Sequence, residues 1–317
     1  MKEKLTNTIV VGTLLTLTLF ILFNSSDVIE SSVLAISIWK DKIFPTLFPM
    51  FVISNLLICY NFPLFMGELL KNITARHFSL PGSSSFILVI SMIAGFPSSS
   101  KYIRELLINN QISLDDANYL IKFTHFSNPL FIIGTIGSLL LQNEKFGILI
   151  LISHYLGNFF IALLFRKKKK IKKEKVSLNK AFSIIGSNKS IGENIKLAIY
   201  DAISTLTLLL GIITSFLIIN NIILDFNIPL ILKNISSCIL EMTGGVIFAA
   251  NLNVPIIFRM ILMTAIISFG GLSVHMQVLS IISDTKIKYN DFLYARILHV
   301  IISSIIVFLL SYIFKIF

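Results

Sequence analysis

Two kinds of apolar segment alternate along this chain, and the difference between them predicts most of its architecture. Thr8–Phe23, Ile43–Tyr60, Phe146–Phe165, Ala202–Ile223 and Phe292–Phe314 are continuous, close to the roughly 20 residues a bilayer crossing needs. The others are broken, at Gly95-Phe96-Pro97-Ser98-Ser99-Ser100-Lys101, Ser127-Asn128-Pro129, Glu241-Met242-Thr243-Gly244-Gly245 and Gly270-Gly271-Leu272-Ser273. Hydrocarbon offers a backbone N–H or C=O no partner, so such breaks survive only where protein or a polar cavity surrounds them.

The breaks define elements. Ser83–Asn109 and Pro229–Asn251 each read as two short arms about a tip, and each arm is about half a crossing at 1.5 Å per residue. They are predicted as re-entrant hairpins. Asp115–Leu141 and Val254–Ile282 are predicted as broken spans, and Ser32–Lys40 as a short interfacial helix. The order span, hairpin, broken span, span then occurs twice. Asp41, Ile43, Ile53, Leu57 and Ile58 match Asp201, Ile203, Ile213, Leu217 and Ile218 at a constant offset, and a second offset sets Gly95 on Glu241, Phe123 on Phe269 and Ser127 on Ser273. Three crossings per half invert one half against the other, as in transporters built on discontinuous helices. The expected fold is an all-α polytopic membrane protein with about seven transmembrane helices and two re-entrant hairpins in an inverted repeat. Its parts are an N-terminal helix and interfacial segment (1–40), a first repeat (41–165), a basic linker (166–195) and a second repeat (196–317).

Composition agrees. Hydrophobic residues make up 55% of the chain and charged residues 14%, with a mean hydropathy of +0.86, where a soluble domain carries about 25% charge. Met1–Lys4 and the run behind it resemble a signal peptide, but Asn24-Ser25-Ser26-Asp27 lacks a small-x-small cleavage pattern, so an uncleaved helix is expected. Cys59 and Cys238 lie in apolar runs and read as buried hydrophobes. The segment Arg166–Lys175 contributes +7 of the net +11. Directly after a span, it reads as a topology anchor under the positive-inside rule rather than as a nucleic-acid site. With Lys2, Lys4, Lys286 and Lys288 it places the N-terminus in the cytoplasm.

The broken segments also hold the candidate chemistry. Pro97, Ser98, Ser99 and Ser100 read as the start of a buried helix, whose free N–H groups attract anions; Lys101 and Arg104 add charge, or snorkel to the interface. Ser127, Asn128, Thr243, Gly244, Gly271, Ser273 and Gln277 could hydrogen-bond a polar solute, or satisfy only the backbone they interrupt. Glu241 is a carboxylate at a predicted hairpin tip, a coupling-proton site or half of an ion pair. His125 joins it as a coupling or gating group. His154, Asn158, Asp201 and Arg296 read as packing or interface groups. No nucleotide loop, metal-ligand spacing or nucleophile motif is present, so neither an enzyme nor a cofactor is expected. The expected partners are a small-molecule substrate, the lipid bilayer, a coupling proton or sodium ion and a second copy of the chain.

At these residues the chain resembles a known family. Phe44-Pro45-Thr46-Leu47-Phe48-Pro49, Gly95–Lys101, Phe123–Phe131, His154-Tyr155-Leu156-Gly157-Asn158 and Phe269–Gln277 are similar to segments of the YlbJ-type sporulation integral membrane proteins. Those belong to the Gate, or nucleoside-recognition, group related to concentrative nucleoside transporters. The serine-rich turn 98–100 and the short connector 166–195 depart from that pattern. The resemblance implies a late sporulation role and transport of dipicolinic acid, a flat heteroaromatic dianion, across the outer forespore membrane. A nucleoside-type transporter and a non-transporting membrane scaffold are the alternatives.

Overall fold

Each apolar run becomes a helix, because a helix alone satisfies its own backbone in lipid, and each run of glycine, proline and serine becomes the turn between two helices. In the computed structural model, which describes residues 2–166, 175–225 and 227–316, every regular element is helical. Most of the basic run, residues 167–174, lies outside the described residues.

The first half opens with α1 (Lys2–Phe23) and α2 (Ser25–Ile38), between which the chain bends by 98°. A π-helical turn, Trp39–Ile43, leads into α3 (Phe44–Cys59). After an 81° bend comes α4 (Phe62–Phe78). Two expectations are corrected here. The interfacial helix expected over Ser32–Lys40 begins earlier, at Ser25. The stretch carrying Lys71, Arg76 and His77, read as a loop, is an amphipathic helix whose Gly67 packs against the backbone of Ser83.

The first hairpin is α5 (Ser84–Ala94) and α6 (Ser98–Ile108), joined by Gly95-Phe96-Pro97. Then α7 (Leu114–Phe123) starts at a capping box, in which Ser113 Oγ accepts from Asp116 N and Asp116 Oδ2 from Ser113 N. It stops at an irregular stretch, residues 124–128, and helix resumes into a π-helix, Phe131–Leu140. The half closes with α8 (Glu144–Leu164).

The second half repeats this order. Short α9 (Leu178–Ile184) precedes α10 (Ile191–Asp225), a 35-residue helix that starts inside the stretch assigned to the linker. The second hairpin is α11 (Leu230–Leu240) and α12 (Met242–Ala250), hinged at Glu241. The second broken span is α13 (Ile256–Phe269) and α14 (Gly271–Ile282), and α15 (Tyr289–Ile313) follows.

Four helices among the described residues are long and apolar enough to cross a membrane, six if each bent pair counts as one span. This falls short of the expected seven. The pair α7 and Phe131–Leu140 is the difference, since its two parts are only 10 residues each. The halves interlock through α3 against α10 and α8 against α15, with α13 also on α15. Outward-facing Leu230, Ile231, Leu232, Ile235 and Ile239 make α11 an exposed apolar helix.

Candidate functional site

Both hairpin tips press on the helix break of their own half, and in each case a glycine makes the contact possible. Gly95 sits at φ +80° and a Cβ there would lie 2.6 Å from Asn128 N. In the second half the glycine is on the other partner: a Cβ on Gly271, φ +71°, would lie 3.0 Å from Met242 N. Tip and break therefore meet backbone to backbone, which no larger residue allows.

The first break, residues 124–128, leaves backbone groups unpaired inside the protein, and side chains of α8 and α15 take them up. His154 Nε2 accepts from Ser127 N at 2.9 Å, and Asn158 Nδ2 donates to His125 O at 2.8 Å. Arg296 is fully buried. Its Nη2 donates to Lys122 O and to Asn158 Oδ1, and its Nη1 to His125 O. Two hydrogen bonds fix tautomers. Because His154 Nε2 accepts, its Nδ1 donates to Ser268 Oγ; because His299 Nδ1 accepts from Arg296 Nη1, its Nε2 donates to His154 O. Neither imidazole can gain a proton without breaking one of these bonds. His125 differs: it stacks on Phe96 with ring centroids 4.5 Å apart, and neither ring nitrogen has a partner.

In front of this network the four breaks converge on one cavity of about 310 Å³. The first half contributes Phe96 and Pro97 from its tip, Ser127 and Asn128 from its break, and Leu130, Phe131 and Thr135 beyond it. The second contributes Glu241, Met242 and Thr243 from its tip, and Ser273, Val274 and Gln277 from α14. Ile38, Asp41, Ile43 and Leu47, together with Leu209 and Ile213 of α10, complete the wall. The lining is apolar with polar atoms at the breaks, as expected of a small-molecule site.

Of the residues singled out from the sequence, Pro97, Ser127, Asn128, Glu241, Thr243, Ser273 and Gln277 line the cavity. Asn128 is partly engaged, with Nδ2 donating to Ala94 O and Oδ1 accepting from Leu130 N. Glu241 Oε2 accepts from Gly244 N at 2.8 Å and caps α12, so Gly244 supports the tip rather than the wall. Gly271 contacts the tip, and His125 lies behind Phe96. Ser98, Ser99 and Ser100 are buried in α6 outside the lining. Lys101 and Arg104 also stay outside it, each directed to an acid of the second half. Among the described residues, the ionisable side chains on the wall are the carboxylates Asp41 and Glu241.

Sequence reasoning left Phe96, Phe131, Thr135 and Asp41 out of the site and assigned no role to His299, Ser268 or Ser303. A signal for the network exists: His154 and Asn158, and Arg296, His299 and Ser303, are polar residues at one-turn spacings in apolar helices.

This fold and site define a polytopic α-helical integral membrane protein with a central cavity built from discontinuous helices. Among curated proteins, the chain is similar to "Sporulation integral membrane protein YlbJ" of Bacillus subtilis (strain 168). The two are 27% identical over 345 residues, covering 97% of this chain and 83% of that protein. This likeness supports a YlbJ-type assignment, and a membrane role in sporulation fits. No protein-family model and no solved structure matches it.

Proposed function

We propose that the protein is a secondary transporter serving spore formation, which carries one small heteroaromatic solute through the central cavity by alternating access. One observation carries this reading: tips and breaks from both halves, far apart in sequence, line a single cavity. Discontinuous helices meeting at a shared site are how transporters present backbone dipoles to a solute near the midplane. Phe96 and Phe131 suit a flat ring, and Ser127, Asn128, Thr243, Ser273 and Gln277 supply hydrogen bonds at its edge.

Dipicolinic acid across the outer forespore membrane remains the leading solute, on the family resemblance. The wall modifies how it would bind. With two carboxylates and no base on the lining among the described residues, an anion needs its charge compensated by a proton on Glu241 or by a cation entering with it. The same lining favours a neutral, nucleoside-type solute as the second reading.

The test is flux of labelled dipicolinate and of nucleosides in proteoliposomes, with and without a proton gradient. The expected result is gradient-dependent dipicolinate flux, lost with Ser273→Ala and Gln277→Ala. Nucleoside flux alone would move the assignment to the neutral class. Absence of both, with a stoichiometric protein copurifying, would sink transport in favour of a scaffold.

A further inference from the structure

Three basic side chains of the first half meet three acidic side chains of the second, all on one side of the cavity. Lys101 Nζ lies 3.7 Å from Asp201 Oδ2 of α10. Arg104 forms a two-pronged pair with Asp284, with Nε 2.8 Å from Oδ1 and Nη2 bonded to Oδ2. Lys122 Nζ lies 3.1 Å from Asp291 Oδ1 at the start of α15. Glu105, 4.0 Å from Lys101 Nζ, and the Phe51 ring complete the surroundings of that ammonium, which makes no hydrogen bond.

Three elements independently give the same direction. Along α6, Pro97 reaches the cavity and Lys101 and Arg104 lie about 6 and about 10 Å beyond it. Along α14, Gln277 reaches the cavity and Asp284 follows about 10 Å farther on. Along α10, Leu209 and Ile213 reach the cavity and Asp201 precedes Leu209 by about 12 Å. On the other side, Asp41 and Leu130 belong to the lining and are exposed.

The repeat explains why only one side is paired. Asp41 is the counterpart of Asp201, but the positions matching Lys101 and Arg104 are Ile247 and Ala250. With no base on α12, Asp41 meets Ser37 and Lys40 of its own half among the described residues. Among the described residues, no ion pair joins the two halves on that side.

We propose that these three cross-half ion pairs are a latch, which shuts the cavity on the side of Arg104 and Asp284 and leaves it open on the side of Asp41. Breaking the latch opens the shut side. Arg76, Arg166, Lys286 and Lys288 flank that side, which makes it cytoplasmic under the positive-inside rule. The inference rests on the transporter reading, and its test does not require a transported solute.

The full chain, with Cys59→Ala and Cys238→Ala, carries Thr135→Cys in the cavity wall. A membrane-impermeant maleimide is applied to right-side-out and to inverted vesicles. The expected result is labelling from the Asp41 side alone. Adding Asp284→Lys raises labelling from the latch side about tenfold, and pairing Arg104→Asp with Asp284→Arg returns it to the starting level. Should a reversal fail to accumulate, the isosteric set Asp201→Asn, Asp284→Asn and Asp291→Asn carries the same expectation. Labelling from both sides before any latch change, or unchanged labelling after all three acids are neutralised, overturns the latch. Flat labelling with intact flux rejects the latch alone, whereas a working latch without flux rejects only the transport reading.

Discussion

At the scale of single residues, the tips are where sequence and geometry constrain each other most tightly. Gly95→Ala must place a Cβ 2.6 Å from Asn128 N at a left-handed backbone position. A loss of about 2–4 kcal/mol of stability is expected, from the backbone penalty and the overlap together. Gly244→Ala is the control: its new Cβ would meet nothing nearer than Glu241 Oε2 at 3.8 Å, so stability should hold or rise by up to about 1 kcal/mol. Thermal unfolding of both variants in detergent decides the matter, and equal melting points would contradict the tip-to-break contact. Glu241→Gln keeps an oxygen to cap Gly244 N while removing the charge. Under the transport reading, its melting point should stay near that of the parent while the dependence of flux on a proton gradient disappears. A variant that loses stability instead would mark Glu241 as a structural cap only.

At the scale of elements, the hairpins were legible because their signal is local. Gly95-Phe96-Pro97 and Glu241-Met242-Thr243 interrupt apolar runs too short to cross, and no other arrangement of such arms satisfies their backbones in lipid. Helix α4 was not legible, because Lys71, Asn72, Arg76 and His77 give Phe62–Phe78 the polarity of a loop. Its apolar face shows only once Gly67 and Gly82 let it lie on the start of the first hairpin. The network behind the first break escaped for another reason. His154, Arg296 and His299 carry polar spacing, but nothing in the sequence says that Arg296 faces the carbonyls of residues 122 and 125, that His154 faces Ser127 N or that His299 faces His154 O. Arg296→Met strands the Lys122 carbonyl and leaves His125 O to Asn158 alone, and should cost about 2–4 kcal/mol in an unfolding measurement, one to two lost charge-assisted bonds. Arg296→Lys keeps the charge but lacks the planar fork that reaches several acceptors, and should recover less than half of that loss. Full rescue by lysine would show that charge alone matters there.

At the scale of the whole molecule, the cross-half pairs join residues 100 to 180 positions apart, which no periodicity could have matched. Their acid sensitivity has a definite sign. The two-pronged bond to Arg104 holds the Asp284 carboxyl below its ordinary value of 3.8. A carboxylate shifted down contributes stability above its ordinary value and loses it as pH falls through the lowered one. The ratio of latch-side to Asp41-side labelling at each pH, which cancels the pH dependence of the thiol's own reaction, should therefore stay flat from about pH 8 to about pH 5 and increase only under stronger acid. A rise near neutral pH would mean that some other group controls the closed side.

The exposed outer face of α11 carries a consequence of its own. Its apolar residues are presented to lipid, and the chain passes directly from its last turn into Glu241, Met242 and Thr243 on the cavity wall. In the first hairpin Val89 and Ile93 of α5 are exposed as well, and Asn128 ties Ala94 to the neighbouring break. Acyl chains are then in one-helix contact with the binding wall of the second half. A mismatch in hydrophobic thickness, at fractions of a kcal/mol per Å, acts on that wall without any protein intermediary. Reconstitution in short- and long-chain lipids should tune solute affinity much as a mutation at Thr243 does, making membrane composition itself a ligand of this site.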